Sequence, residues 1–137
     1  MQKLLIILAG LVFVFLPTSL LAESDSKSSV YAVSFHADWC GSCQVLGPQV
    51  EKARGKANLD NQNVLFVKLD LTDETKRHQS MLMAEALGIG EYYKTNGGKT
   101  GFLLLVNSKD GKTIEKITKA SDAGEIASKI TGALGSI

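Results

Sequence analysis

Cys40 and Cys43 are the only cysteines in the chain, and they stand where an alternating apolar segment gives way to a helical one. Val30 to Phe35 places Val30, Ala32 and Ser34 on one face and Tyr31, Val33 and Phe35 on the other, the period of a strand. A helix is expected to begin near Cys40 and run to about Ala57, carrying Val45, Leu46 and Val50 inward. Pro48 lies inside it, removes one backbone donor and predicts a kink. The dithiol therefore sits at a strand-to-helix junction. That position limits both what the chain can fold into and what the sulfurs can do.

The segments that follow extend the same pattern. Val64 to Leu69 is a second strand, apolar enough to be expected buried on both faces. Thr72 is expected to cap the next helix, with Asp73 and Glu74 against its positive end and Leu82, Ala86 and Ile89 as its inner stripe. Gly88 to Gly101 is the least regular stretch, with further glycines at 90, 97 and 98. Phe102 to Val106 reads as a third strand. Lys109-Asp110-Gly111 signals a hairpin, and Lys112 to Thr118 returns as a fourth strand with Ile114 inward. A last helix is expected from about Asp122 to Leu134, with Ile126, Ile130 and Leu134 on one face and Glu125 completing an acidic capping box. The order β-α-β-α-β-β-α predicts an α/β domain with one mixed sheet and helices on both faces.

The amino terminus has a different character. Lys3 precedes an apolar run from Leu4 to Leu16 broken only by Gly10, followed by Pro17, Thr18 and the small residue Ala22. This is the order of a secretory signal, and the run of about 13 residues falls short of the roughly 20 that span a bilayer. Residues 1–22 are read as a signal peptide, 23–29 as a short polar leader and 30–137 as the domain. An uncleaved signal would instead leave a membrane anchor. Cleavage removes Lys3 from the 15 basic residues and none of the 14 acidic ones, leaving a formally neutral chain. That balance argues against nucleic acid or an anionic membrane surface as the principal partner. No stable membrane association is expected after cleavage, and the protein is read as a monomer.

An exported chain meets conditions that permit disulfides, yet a pair closing so short a loop removes little entropy from the unfolded state. The cysteines are read as chemical rather than structural. At a helix start, free backbone N–H groups and the positive end of the macrodipole stabilise a thiolate at Cys40. One turn later Cys43 is placed to attack a mixed disulfide formed at Cys40. Gly41 leaves the first turn uncrowded and the sulfur accessible, and Trp39 supplies an apolar wall.

The run Phe35-His36-Ala37-Asp38-Trp39-Cys40-Gly41-Ser42-Cys43, followed by Pro48, resembles the active-site strand, redox motif and kinked helix of the thioredoxin family. Val67-Lys68-Leu69-Asp70 is similar to that family's next strand, including a lysine behind the active site. The resemblance spans roughly Val30 to Leu134, densest around Cys40. It implies a thioredoxin-like fold, Cys40 as attacking nucleophile and Cys43 as buried resolving cysteine, with no bound cofactor.

Three departures accompany it. Ser34 stands where the family usually has a buried aspartate, and a serine cannot accept a proton from Cys43 near neutral pH. His36 replaces a frequent second tryptophan. Gly101 falls where the family places a cis-proline, so Thr100-Gly101 is expected to be trans, because a cis bond without proline costs roughly 2.5–4 kcal/mol. An insertion containing Tyr92, Tyr93 and Lys94 precedes that bond. It is expected either to replace or cover the substrate ledge, or to be a solvated surface loop.

Gly98-Lys99-Thr100 echoes a phosphate-binding loop, but Tyr93 occupies the position of its first glycine and a strand follows rather than a helix. Two cysteines cannot complete a tetrahedral zinc shell, although a copper(I) site would suit them. The reading reached from sequence is an exported, periplasmic or extracellular thiol–disulfide oxidoreductase acting on protein thiols and disulfides. Copper(I) handling and a non-catalytic binding module are the alternatives.

Overall fold

A computed structural model describes residues 28–137. The segment read as a signal peptide, and most of the polar leader, lie outside the described residues.

The elements are β1 (Val30–His36), α1 (Gly41–Lys56), a short 3₁₀ turn (Leu59–Asn61), β2 (Val64–Asp70), α2 (Glu74–Ala86), α3 (Gly90–Asn96), β3 (Phe102–Asn107), β4 (Thr113–Thr118) and α4 (Ala123–Gly135). The four strands form one sheet in the order β2-β1-β3-β4. β1 runs parallel to β2 and antiparallel to β3, and β3 antiparallel to β4. This is the mixed sheet expected from the element order.

Alternation along β1 divides the core in two. Val30 and Ala32 join Leu103, Leu105 and Ile117 beneath α1 and α4, which contribute Leu46, Val50, Ile126 and Ile130. Tyr31, Val33 and Phe35 join Leu69, Leu104 and Val106 on the opposite face, where Ala84 of α2 and Ile89 pack. The capping box at Asp122 and Glu125 starts α4 as expected.

Several expectations are corrected. Val45 is half exposed, because α1 buries Cys43, Leu46, Val50 and Ala53, a stripe that leaves Val45 to one side. β2 is an edge strand, so Leu65 and Lys68 are exposed rather than buried. The cap of α2 is Asp73, whose carboxylate accepts the Lys76 N–H; the Thr72 hydroxyl is engaged elsewhere. Leu82 and Ala86 face solvent, and α2 buries Ser80 and Ala84 instead. Ile89 is buried, but beyond the end of α2.

Ile114 is exposed because β4 carries an irregularity: Leu105 pairs with Glu115 and Val106 with Thr113, so Ile114 is the extra residue. Ile117 takes the inward position. The glycine-rich stretch contains the helix α3. Tyr92 donates its hydroxyl to the Gly111 carbonyl at 2.5 Å and Tyr93 to the Arg77 carbonyl at 2.7 Å. Both rings pack on the second core, so this part of the insertion is fastened against the sheet, away from α1.

Candidate active site

Cys40 is the N-cap of α1, in extended conformation, with its Sγ accepting the Cys43 N–H at 3.1 Å. A sulfur thus occupies the place usually filled by a capping oxygen, where a negative charge is favoured. Cys40 and Cys43 are joined as a disulfide, their Cα atoms 5.2 Å apart. Cys43 Sγ lies 3.7 Å from the Phe35 carbonyl oxygen, to which its thiol can donate when reduced. The residues are 7% and 4% exposed, so the open Cys40 sulfur expected from Gly41 is not found in the oxidised state. Gly101 lies across it instead: a Cβ built there would stand 3.4 Å from Cys40 Sγ.

Beside the disulfide Trp39 is 60% exposed, and its indole N–H donates to the Thr72 carbonyl at 3.1 Å. The Thr72 hydroxyl accepts the Asp38 N–H at 3.0 Å and donates to Asp70. Lys76 reaches both Asp38 (3.3 Å) and Asp70 (3.6 Å), and His36 Nε2 lies 3.3 Å from Asp38. The hydrogen bond to His36, then Lys76, hold the Asp38 carboxyl below the usual carboxylate range. Burial pulls Asp70 upward, but the Thr72 hydroxyl and N–H together with Lys76 outweigh it and leave its pKa lowered. Sequence reasoning missed this network around Thr72. Its signal is Asp70 two residues before Thr72, but the sequence reading takes Asp70 only as the end of the strand resemblance and Thr72 only as a helix cap.

Beneath Cys43 the rows of the sheet change character. Val30 pairs with Val64 and Ala32 with Phe66, but the next pair is Ser34 with Lys68. Ser34, Lys68 and Gly47 leave volume under α1: a cavity of about 320 Å³ opens there, with Cys43, Val50 and Phe66 in its wall. Lys68 makes no ion pair among the described residues. Thr100 is half-buried, and Gly101 donates its N–H to the Phe35 carbonyl at 2.9 Å. No peptide bond is cis among the described residues. Ser42 Cβ would stand 2.6 Å from a Cβ at Gly101.

The structure therefore gathers Cys40, Cys43, Trp39, Gly41, Ser42 and Gly101 at one junction, with Ser34 and Lys68 below and His36 to the side. No cluster of three or more His, Cys, Asp or Glu side chains suited to a metal occurs among the described residues.

A mixed sheet covered on both faces, with a dithiol at the N-cap of its first helix, defines a thioredoxin-like domain. The chain belongs to the thioredoxin family: residues 18–85 match that family's model, described as Thioredoxin. It is 27% identical over 118 residues to Protein disulfide isomerase-like 1-1 of Arabidopsis thaliana, covering 77% of this chain and 23% of that one. It is 44% identical over 43 residues to mitochondrial thioredoxin of Bos taurus, covering 31% of this chain and 24% of the relative. The chain thus spans less than a quarter of the length of either relative. The fold is similar to that of a thiol:disulfide interchange protein of the thioredoxin family from Chlorobium tepidum, at a TM-score of 0.55 and 16% identity, over 81% of this chain and 83% of that one.

Proposed function

We propose that this protein is an exported thiol–disulfide oxidoreductase that exchanges disulfides with protein substrates through Cys40 and Cys43. The observation that carries the reading is the bond between these cysteines at the N-cap of α1, with Cys40 Sγ accepting the Cys43 N–H. That N–H and the helix dipole stabilise the Cys40 thiolate, which makes Cys40 both the better nucleophile at moderate pH and the better leaving group. Cys40 attacks a substrate disulfide, a mixed disulfide forms, and Cys43, one turn away, resolves it. Trp39 and the Thr100–Gly101 backbone flank the sulfurs and form the docking ledge. Ser34, His36 and Lys68 shape the surroundings of Cys43.

Export rests on the order of charge, apolar run and small residue within 1–22, with 23–29 as leader and a periplasmic or extracellular destination. No helix among the described residues is long and apolar enough to cross a membrane. The domain acts as a monomer, without a bound cofactor.

Substrate trapping tests the reading. A Cys43→Ser variant expressed in the native compartment is expected to accumulate disulfide-linked proteins, because the resolving thiol is absent. The same variant lacking Cys40 is expected to capture none. Equal capture by both would contradict the assignment.

A further inference from the structure

Trp39 is the chain's only tryptophan, and at 60% exposure its ring beside the disulfide is not fixed by packing alone. Its hold is the indole N–H donated to the Thr72 carbonyl at 3.1 Å. Where Thr72 sits therefore decides where the ring sits. Thr72 in turn belongs to a closed circuit with Asp38, Asp70 and Lys76. Its hydroxyl accepts the Asp38 N–H at 3.0 Å, and its hydroxyl and N–H both donate to Asp70 Oδ1. Lys76 Nζ closes the circuit, reaching Asp38 Oδ2 at 3.3 Å and Asp70 Oδ2 at 3.6 Å. The first turn of α2 is thereby tied to the residue that precedes Trp39, 38 positions away in sequence.

We propose that Lys76 is a positioning residue: by tying Asp38 to Asp70 it holds Trp39 as a preformed wall against which a substrate protein lies when its disulfide meets Cys40. The inference rests on the oxidoreductase reading above and gives that site a determinant of protein docking. Lys76 acts through Asp38 and Thr72 and takes no part in the exchange of sulfur–sulfur bonds.

Charge explains why the circuit needs a cation at this point. The Asp38 and Asp70 carboxylates repel each other, and Lys76 offsets that repulsion by pairing with both. Two further cations face the circuit: His36 on β1 lies 3.3 Å from Asp38 Oδ1, and Lys68 on β2 attracts Asp70. Among the described residues, however, Lys76 is the cation paired with both carboxylates. Asp73, the cap of α2, adds a further negative charge on the lysine's side. Exposed ion pairs contribute little to stability, so the effect of this circuit lies in order. A ring already held in place loses less freedom when a protein docks on it, which strengthens docking and leaves the chemistry at sulfur alone. A small disulfide offers Trp39 little surface and gains little from that order.

The test uses the full chain, with insulin as the protein disulfide, hydroxyethyl disulfide as the small one and dithiothreitol as reductant. Lys76→Met is expected to raise KM for insulin about two- to fivefold, the range that corresponds to the coupling of one exposed ion pair, with kcat little changed. The loss is expected to be smaller with hydroxyethyl disulfide. With a single tryptophan in the chain, fluorescence anisotropy reads the freedom of Trp39 directly, and it is expected to fall in Lys76→Met. Lys76→Arg keeps the charge and the reach, and is expected to restore both readings. In an Asp38→Ala background Lys76→Met is expected to add little, because the lysine acts through Asp38.

An unchanged KM for insulin or an unchanged anisotropy in Lys76→Met overturns the inference, as does a full loss that persists in the Asp38→Ala background. If the anisotropy is unchanged while the reduction potential falls, the lysine acts on the thiolate by its charge instead. All of these results leave the oxidoreductase reading intact. A wild type inactive on insulin would remove that reading. The anisotropy of Lys76→Met would then decide the positioning role by itself, and an unchanged value would overturn it.

Discussion

Gly101 backs directly onto Ser42: a Cβ built on Gly101 would stand 2.6 Å from the Ser42 Cβ, closer than such atoms approach. Gly101 also has φ of +85°, and its N–H donates to the Phe35 carbonyl at 2.9 Å. Three constraints therefore meet at this residue: a close approach to the redox motif, a left-handed backbone and a required donor. Proline satisfies none of them here, since it fixes a negative φ and has no N–H.

Gly101→Ala is accordingly expected to destabilise the domain by about 1–3 kcal/mol through backbone strain alone, with more from the contact with Ser42. Gly101→Pro is expected to cost more than the alanine. Urea unfolding of the oxidised proteins checks both. An alanine variant as stable as the wild type would mean that the first turn of α1 yields easily to Gly101.

The two tyrosine contacts of α3 give a second prediction. If they brace the insertion, Tyr92→Phe and Tyr93→Phe should each cost about 0.5–1.5 kcal/mol, the net worth of an ordinary hydrogen bond. Amide exchange in Gly90–Asn96 should accelerate in both variants. Disulfide exchange should be unchanged, because these rings pack on the core opposite α1. A loss of exchange activity would show instead that the insertion acts on the site.

The residues that carried clear signals were those whose neighbours are near in sequence. β1 was legible down to its two faces because alternation is a local property, and the strand is central with cover on both sides. The Cys40–Cys43 pair was legible because strand, motif and helix are contiguous. Edge position is not local: nothing in Val64 to Leu69 says that β2 has only one neighbour, and Leu65 was misplaced for that reason. Ile114 was misplaced by a single extra residue in the β3–β4 pairing, which reverses the faces upstream of it. The helix α3 was hidden by flanking glycines and owes its position to two tyrosine hydroxyls bonded to distant carbonyls. The cavity could not be read at all, because it arises from the meeting of Ser34, Lys68 and Gly47 across three elements.

Redox poise follows from the same site. Cys40 Sγ is stabilised by the Cys43 N–H, and Ser34 places no negative charge on the cavity floor to oppose a thiolate. Both favour the dithiol state and make the disulfide more oxidising. The reduction potential is expected above thioredoxin's roughly −270 mV and below the strongest exported oxidants near about −120 mV. Ser34→Asp is expected to lower it. Equilibration against glutathione buffers, with free thiols counted, measures both; a wild-type value more negative than thioredoxin's would indicate a dedicated reductase.

Catalysed reduction of a model protein disulfide by dithiothreitol tests the central claim most directly, with the purified protein compared with Cys40→Ala. The expected result is catalysis by the wild type and none by the variant, because the proposed mechanism forms the mixed disulfide on Cys40, the residue that caps α1. Equal inactivity of the two proteins would contradict the account, and tight binding of one copper(I) requiring both cysteines would replace it with metal handling.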